Sequence, residues 1–387
     1  MARKKVERNI YHDEERKCYY ISLYYGKGIK SEWATAKTIR EARKILTGHE
    51  AAVAEERAVP KARETVADHL EWYLEHCVKP HRAPTTVYSY KNIIDNHLTP
   101  ALGTHKLDKL TTAHIQEYVT AKQEQVSSNT VIKHIDLLHS ALEKAVSNGQ
   151  VHRNPAEYVT RPRKVKPDIQ PCTVEEVQRA IELAKEDSNW FYIATILAAY
   201  TGMRRGEIMG LRWANVDLDN KVLTVRETRT TAGKEEVVKE PKTPSSVRRL
   251  RLEQPVAEAL TAEWKRQQED RQYFNEGEYN PGGYVVVTDN GKLPNPNSIN
   301  NKIDYLVKTK GFPKINPHRF RHTVASIAHD TGATAFETQH ALGHSSTAVT
   351  LSIYTHLYQP ANDATMSKVA AALTQSQDQE KEQNNEN

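Results

Sequence analysis

The run Arg-Pro-Arg-Lys-Val-Lys-Pro-Asp-Ile-Gln-Pro at residues 161–171 constrains this chain most. Its three prolines remove backbone donors and restrict the residues before them, so neither helix nor strand runs through it. The segments on either side must therefore fold separately, joined by an extended linker. Four of its side chains are Arg or Lys, which suits either a solvated tether or a basic strap along phosphates.

The total length of 387 residues fits two or three domains at roughly 150 residues each. With 27% charged and 38% hydrophobic residues the chain reads as globular with a polar surface, and no run of about 18 apolar residues could span a bilayer. The first residues lack an apolar core and a cleavage site, so no secretory signal and a cytoplasmic protein are expected. Three scattered cysteines, Cys18, Cys77 and Cys172, fit a reduced compartment without a disulfide framework, and no CxxC pair suggests structural zinc. Net charge is +5, unevenly spread: residues 1–63 hold 15 Lys+Arg against 9 Asp+Glu, whereas residues 373–387 hold one Lys against four acids. A basic front suits phosphate binding, and the acidic, Gln/Asn-rich tail at 373–387 is expected to be disordered.

Hydrophobic periodicity then divides the chain into parts. Residues 1–55 read as a small β module, with a strand in ERKCYYISLYYGK, a turn at Gly26 and Gly28, and a helix from Thr38 to Gly48. Residues 64–160 read as four helices. Thr65 and Asp68 cap the first; Val87, Tyr90, Ile94 and Leu98 stripe the second; the third starts near Thr112; Ile132, Ile135, Leu138 and Leu142 stripe the fourth. The nine histidines here show no ligand-like pairing. Residues 172–372 form the largest domain. A Thr173–Glu176 capping box opens it, three strands follow (KVLTVRE, EEVVKE and SSVRRLRL), and helices return after residue 296. The fold class expected is mainly α with small β elements (α+β).

Four strings carry candidate chemistry. In TGMRRGEIMGLRW, Arg204 and Arg205 open a helix, where a guanidinium beside free backbone N–H groups suits a phosphate oxyanion, and Glu207 lies one turn on. In PHRFRH, Asn316 caps a helix on which His318 and Arg321 share a face, with Phe320, Val324 and Ile327 directed to the core. Gly343 ends a helix before His344, and Tyr354 follows in TLSIYTHL; a phenol can serve as a covalent nucleophile when cations steady the phosphate. Lys242 sits between the second and third strands, with Lys234 and Lys239 as local rivals. Each string alone also fits an ordinary ion pair, core aromatic or loop lysine.

Taken in order, TGMRRGE, Lys242, HRFRHT, LGHSS and IYTH resemble the boxes of the tyrosine recombinases, or phage-type integrases, over residues 201–356. The adjacent Arg205 makes the first arginine a matter of register. The resemblance implies a mixed α/β catalytic domain whose active site is Arg204, Lys242, His318, Arg321, His344 and Tyr354, supported by Glu207. It implies DNA cleavage through a 3′-phosphotyrosine, with no cofactor and no metal. It implies a helical, SAM-like core-binding domain at 64–160, and the β module resembles the arm-binding domain of lambda-type and conjugative-transposon integrases. Expected partners are double-stranded DNA at core and arm sites, a homotetramer on that DNA, an excisionase and a host DNA-bending protein, with no membrane. The segment YQPANDATMSKVAAALTQ, with Met366, Val369 and Leu373, could dock on a neighbouring protomer or on its own domain. Rival readings are supercoil relaxation by the same chemistry, a non-enzymatic DNA-binding protein of the same fold, and a chromosome-dimer resolvase; the resolvases lack the β module.

Overall fold

A computed structural model describes residues 3–24, 31–54, 64–165, 170–239, 247–275 and 277–343. The chain divides into two compact units, Met1–Pro167 and Asp168–Asn387.

In the first unit, β1 (Lys4–Glu7), β2 (Ile10–Asp13), β3 (Cys18–Leu23) and β4 (Glu32–Ala36) form an antiparallel sheet in chain order. Asn9 and Lys17 take positive φ in the first two connections, a conformation that Asn tolerates better than most residues. Ile10 pairs directly with Ile21, so both fall on one face, where they pack with Ala36 and with Ala42 of α1 (Ile39–Ala54). The hydroxyl of Thr38 accepts the Glu41 N–H at 3.2 Å, as its sequence position predicts. Gly48 does not end this helix. A mid-helix glycine costs about 1 kcal/mol, and the alanines that follow at 51, 52 and 54 carry the helix on to Ala54. The expected turn at Gly26 and Gly28 lies outside the described residues.

The rest of the unit is helical: α2 (Val66–Tyr73), α3 (Pro84–Ile93), α4 (Thr99–Leu102), α5 (Thr112–Gln123) and α6 (Ser128–Ser147). Thr65 and Asp68 form the expected capping box. Two of these helices end in a wide i→i+5 turn, at Leu74–Val78 and Ile94–Leu98. Their buried residues explain it. Val66, Leu70, Leu74 and Val78 recur every fourth residue, as do Ile94, Leu98 and Leu102. A strict four-residue repeat overshoots a 3.6-residue turn, and the wider turn absorbs the excess, holding the stripe against the core. On α6 the buried stripe is Val131, Ile135, Leu138 and Leu142; Ile132 is only half-buried, one position off the expected stripe.

Beneath α5 and α6 the Tyr118 hydroxyl meets Nδ1 of His134 at 2.7 Å, and His97 stacks on His134 at 4.7 Å between ring centroids. Among the described residues no cluster of three or more His, Cys, Asp or Glu is placed to hold a metal, and no helix is long and apolar enough to cross a membrane.

The second unit is built around α8 (Asn189–Thr201), whose Phe191, Ile193, Ala194, Ile196, Leu197 and Ala198 are all buried. A helix apolar on every side belongs at the centre of a layer. Packed about it are α7 (Val174–Asp187), α9 (Arg205–Gly210), α10 (Gln254–Arg271), α11 (Ser298–Lys310), α12 (Pro317–Asp330) and α13 (Ala335–Leu342). Among the described residues five strands stand where three were expected. β5 (Val216–Asp217), β6 (Val222–Val225) and β9 (Arg248–Arg251) form one antiparallel sheet, while β7 (Thr228–Ala232) and β8 (Glu235–Lys239) form a separate hairpin. β7, Thr-Arg-Thr-Thr-Ala, escaped the sequence reading because it has no apolar alternation. Its inward residue is Arg229, fully buried, which donates to the carbonyls of Met209 and Pro294 and pairs with Glu236.

Burial, then the nearby His97 and Lys122, push His134 down to about 4. Its folded pKa lies below the unfolded value of 6.5, so the unfolded chain binds the proton first. The stability contributed by neutral His134 is complete above pH 6.5 and is lost as pH falls toward 4. Between pH 7 and pH 5 the native bundle should lose up to about 2 kcal/mol more in urea unfolding than His134→Phe does. Equal losses in the two proteins would show that His134 does not titrate in this way.

Candidate functional site

Gly202 ends α8 in the left-handed conformation, φ +61. A Cβ there would come within 2.6 Å of Leu342, so only glycine lets α8 approach the end of α13 this closely. Two residues on, Arg204 caps α9. The Glu207 carboxylate reaches back to accept the Arg204 backbone N–H at 2.8 Å and its Nη1 at 2.9 Å. The other side of the same carboxylate takes a forked pair from Arg248 of β9, at 3.1 and 2.8 Å. Glu207 is only 5% exposed. Burial alone would push its carboxyl up; Arg248 and Arg204 outweigh that and hold its pKa at about 2.

The C-terminus of α13 gathers three arginines. Its last carbonyls have no partner within the helix and carry the negative end of its dipole. Arg248 Nε donates to Ala341 O at 3.2 Å, Arg321 Nη2 to Leu342 O at 2.7 Å, and Arg204 Nη2 to Gly343 O at 2.9 Å. Arg321 Nη1 also donates to Gly202 O at 2.9 Å, which joins the two left-handed glycine turns. Gly343 has φ +67, and an added Cβ would stand 3.0 Å from Arg248 Nη1. Arg321 and Arg248 are buried, whereas the Arg204 side chain is 46% exposed. The cluster thus has two buried guanidiniums and one that faces solvent.

α12 supplies the imidazole. Asn316 caps it and Pro317 occupies its first turn, as the sequence predicts. His318 lies at the surface and Arg321 one turn on. Partial burial, then the positive charges of Arg321 and Arg204, push His318 below the usual histidine range. Beneath it His322 is buried, with the two Nε2 atoms 3.1 Å apart and the rings nearly perpendicular. Phe320 reaches the core, but Ile327 is 43% exposed, against the expectation that it points inward. The buried residues of α12 include instead the polar Arg321, His322, Thr323 and Ser326.

Of the residues singled out in the sequence, Arg204, Glu207, His318 and Arg321 lie together in this cluster. Arg204, not Arg205, makes the contacts to Glu207 and Gly343; Arg205 begins α9, half-buried, where burial pushes its pKa down. Lys234 lies in the β7–β8 turn and Lys239 at the end of β8. Lys242, His344 and Tyr354 fall outside the described residues, as do Met366, Val369, Leu373 and the 373–387 tail. Two members went unread in the sequence. Arg248 shares the strand phase of Leu250 and Leu252, and an arginine on the apolar phase signals a buried ion pair. His322 lies one helical turn beyond His318, a spacing that could have flagged the pair.

The family model described as "Phage integrase family" matches residues 171–360, and one described as "Phage integrase, N-terminal SAM-like domain" matches residues 65–123. The ICEBs1 integrase of Bacillus subtilis is 26% identical over 325 residues, covering 84% of this chain and 87% of the relative. A XerC-like tyrosine recombinase of Caldanaerobacter subterraneus is 25% identical over 315 residues, covering 76% of this chain and 79% of the relative. A solved structure of the Tn1549 transposon integrase with circular intermediate DNA superposes with a TM-score of 0.65 at 20% identity, over 79% of this chain and 99% of that one, a likeness of fold.

Removing one member of the buried Glu207–Arg248 pair leaves an uncompensated charge, which costs about 3–5 kcal/mol. Glu207→Ala should therefore lower the melting temperature by roughly 10 °C, at about 2–4 °C per kcal/mol for a unit of this size. A native melting temperature in Glu207→Ala would show that the carboxylate does not hold the cluster.

Proposed function

The chain belongs to the phage integrase family of tyrosine recombinases, and on that premise we propose that it integrates and excises a mobile element by cutting and rejoining DNA through Tyr354. The observation that carries this reading is the capture of two consecutive carbonyls, Leu342 and Gly343, by Arg321 and Arg204. That capture fixes the chain immediately before His344 and eleven residues ahead of Tyr354.

The chemistry follows from what a phosphodiester needs. Its transfer state gathers negative charge on the non-bridging oxygens, and preorganised cationic donors are the strongest means of stabilising it. Arg204 and Arg321 would clamp those oxygens, with His344 adding a hydrogen bond and Glu207 holding Arg204. A free phenol has a pKa near 10, so the Tyr354 phenol loses its proton to His318 as its oxygen bonds to phosphorus. The bond from phosphorus to the 5′ oxygen breaks, and Lys242 protonates that leaving oxygen. The product is a 3′-phosphotyrosine and a 5′ hydroxyl. Bond energy is retained in the phosphotyrosine, so a 5′ hydroxyl from another strand can reverse the step. Two such exchanges pass through a Holliday junction.

Joining two duplexes requires four cuts, hence four protomers on DNA. Residues 172–372 would carry the catalysis, residues 64–160 would grip the core site with the basic linker at 161–171 along its phosphates, and the β module at 1–55 would bind arm sites. An excisionase and a host DNA-bending protein would set the direction. The relative named as an ICEBs1 integrase and the transposon integrase solved with circular intermediate DNA support a mobile-element role.

A nicked suicide duplex carrying the element's attachment site tests this. The native protein should form a covalent adduct and Tyr354→Phe none; an equal adduct from Tyr354→Phe would refute the nucleophile. Arg321→Lys keeps the charge but loses the fork, and should slow adduct formation by about 10²–10³-fold. An undiminished rate would remove Arg321 from the phosphate clamp.

A further inference from the structure

Resting on the reading above, we propose that His322 is a positioning residue for the cleavage step: its Nε2 accepts the Nε2–H of His318, leaving Nδ1 of His318 as the lone pair that takes the phenol proton. The two Nε2 atoms are 3.1 Å apart, so one must donate and the other accept. If His322 donated instead, a neutral His318 would carry its own proton on Nδ1 and could not act as a base. The surroundings favour a pair of neutral rings. His322 is 5% exposed, and burial, then His318 and Arg321, push it down to about 4. α8, packed against α12, carries no Asp, Glu, Lys, Arg or His between Asn189 and Thr201. α13 offers Glu337 and His340, both exposed. The charged groups acting on His322 are thus His318 and Arg321, both on its own helix.

In the step, the phenol O–H bond breaks as the O–P bond forms, and its proton moves to His318 Nδ1. His318 then carries one positive charge beside Arg321 and Arg204, where it is least welcome. The Nε2–H shared with His322 spreads that charge over two rings. His322 touches neither DNA nor tyrosine in this scheme; it sets which nitrogen of His318 is basic and makes that nitrogen a stronger base. Such partners fix the tautomer of a catalytic imidazole.

Two measurements test it. The first is single-turnover cleavage of the suicide duplex against pH. His322→Phe should cut about 10–100-fold more slowly at neutral pH, part of the roughly 10²–10⁴-fold that general base catalysis contributes. Its rising pH limb should move to lower pH, since His318 becomes a weaker base, while DNA affinity stays native. His322→Gln, whose amide oxygen can accept the same hydrogen bond, should recover most of the rate. A native rate and limb in His322→Phe, or an equal loss in both variants, would overturn the proposal. The second is nitrogen NMR of the native protein with labelled histidine, which needs no variant to fold. It should find His318 protonated on Nε2 and bare on Nδ1; the opposite tautomer would overturn the proposal. These spectra are recorded without DNA. A failure of the recombinase reading would appear instead as an adduct that survives Tyr354→Phe.

Discussion

Three arginines from three separate elements each take one of three successive carbonyls where α13 ends: Arg248 from β9 on Ala341, Arg321 from α12 on Leu342, and Arg204 from the start of α9 on Gly343. The rest of the site depends on this convergence. A helix C-terminus carries unsatisfied acceptors and partial negative charge, and guanidinium is the side chain best shaped to meet several at once. The contacts bring residues more than a hundred positions apart to one point. The glycines at 202 and 343 are the steric condition for it, because a side chain at either would strike Leu342 or Arg248.

Crowding cations has an electrostatic consequence that the fold answers with one carboxylate. Glu207 lies between Arg204 and Arg248 and stays ionised far below the usual carboxylate range despite its burial. Arg321 donates to the carbonyls of Gly202 and Leu342, and Arg204 faces solvent. Burial, and then the same positive field, push both His318 and His322 down, which keeps the imidazoles neutral beside the guanidiniums. On the proposed mechanism, one arrangement of charge would serve both binding of the phosphate and readiness of the base.

Local rules made much of this legible before any fold was known. The caps at Thr65, Thr173 and Asn316 depend on a side chain and a backbone N–H three residues apart, and the glycine turns at 202 and 343 on one residue each. What was missed depended on tertiary partners. β7 has no apolar alternation because its inward residue is an arginine satisfied by distant carbonyls. Ile327 is exposed because polar residues whose partners come from elsewhere fill the buried arc of α12. Gly48 lost to the helix formers beyond it, and Arg248 gave only a faint signal, a charge on the apolar phase of a strand.

The central claim is that the arginine cluster presents one phosphorus atom to one phenol. The most direct test is to digest the covalent protein–DNA adduct and map the nucleotide remnant by mass spectrometry. The account requires a 3′-phosphate ester on Tyr354. A remnant on Tyr358, on Ser352 or on any other residue would contradict it.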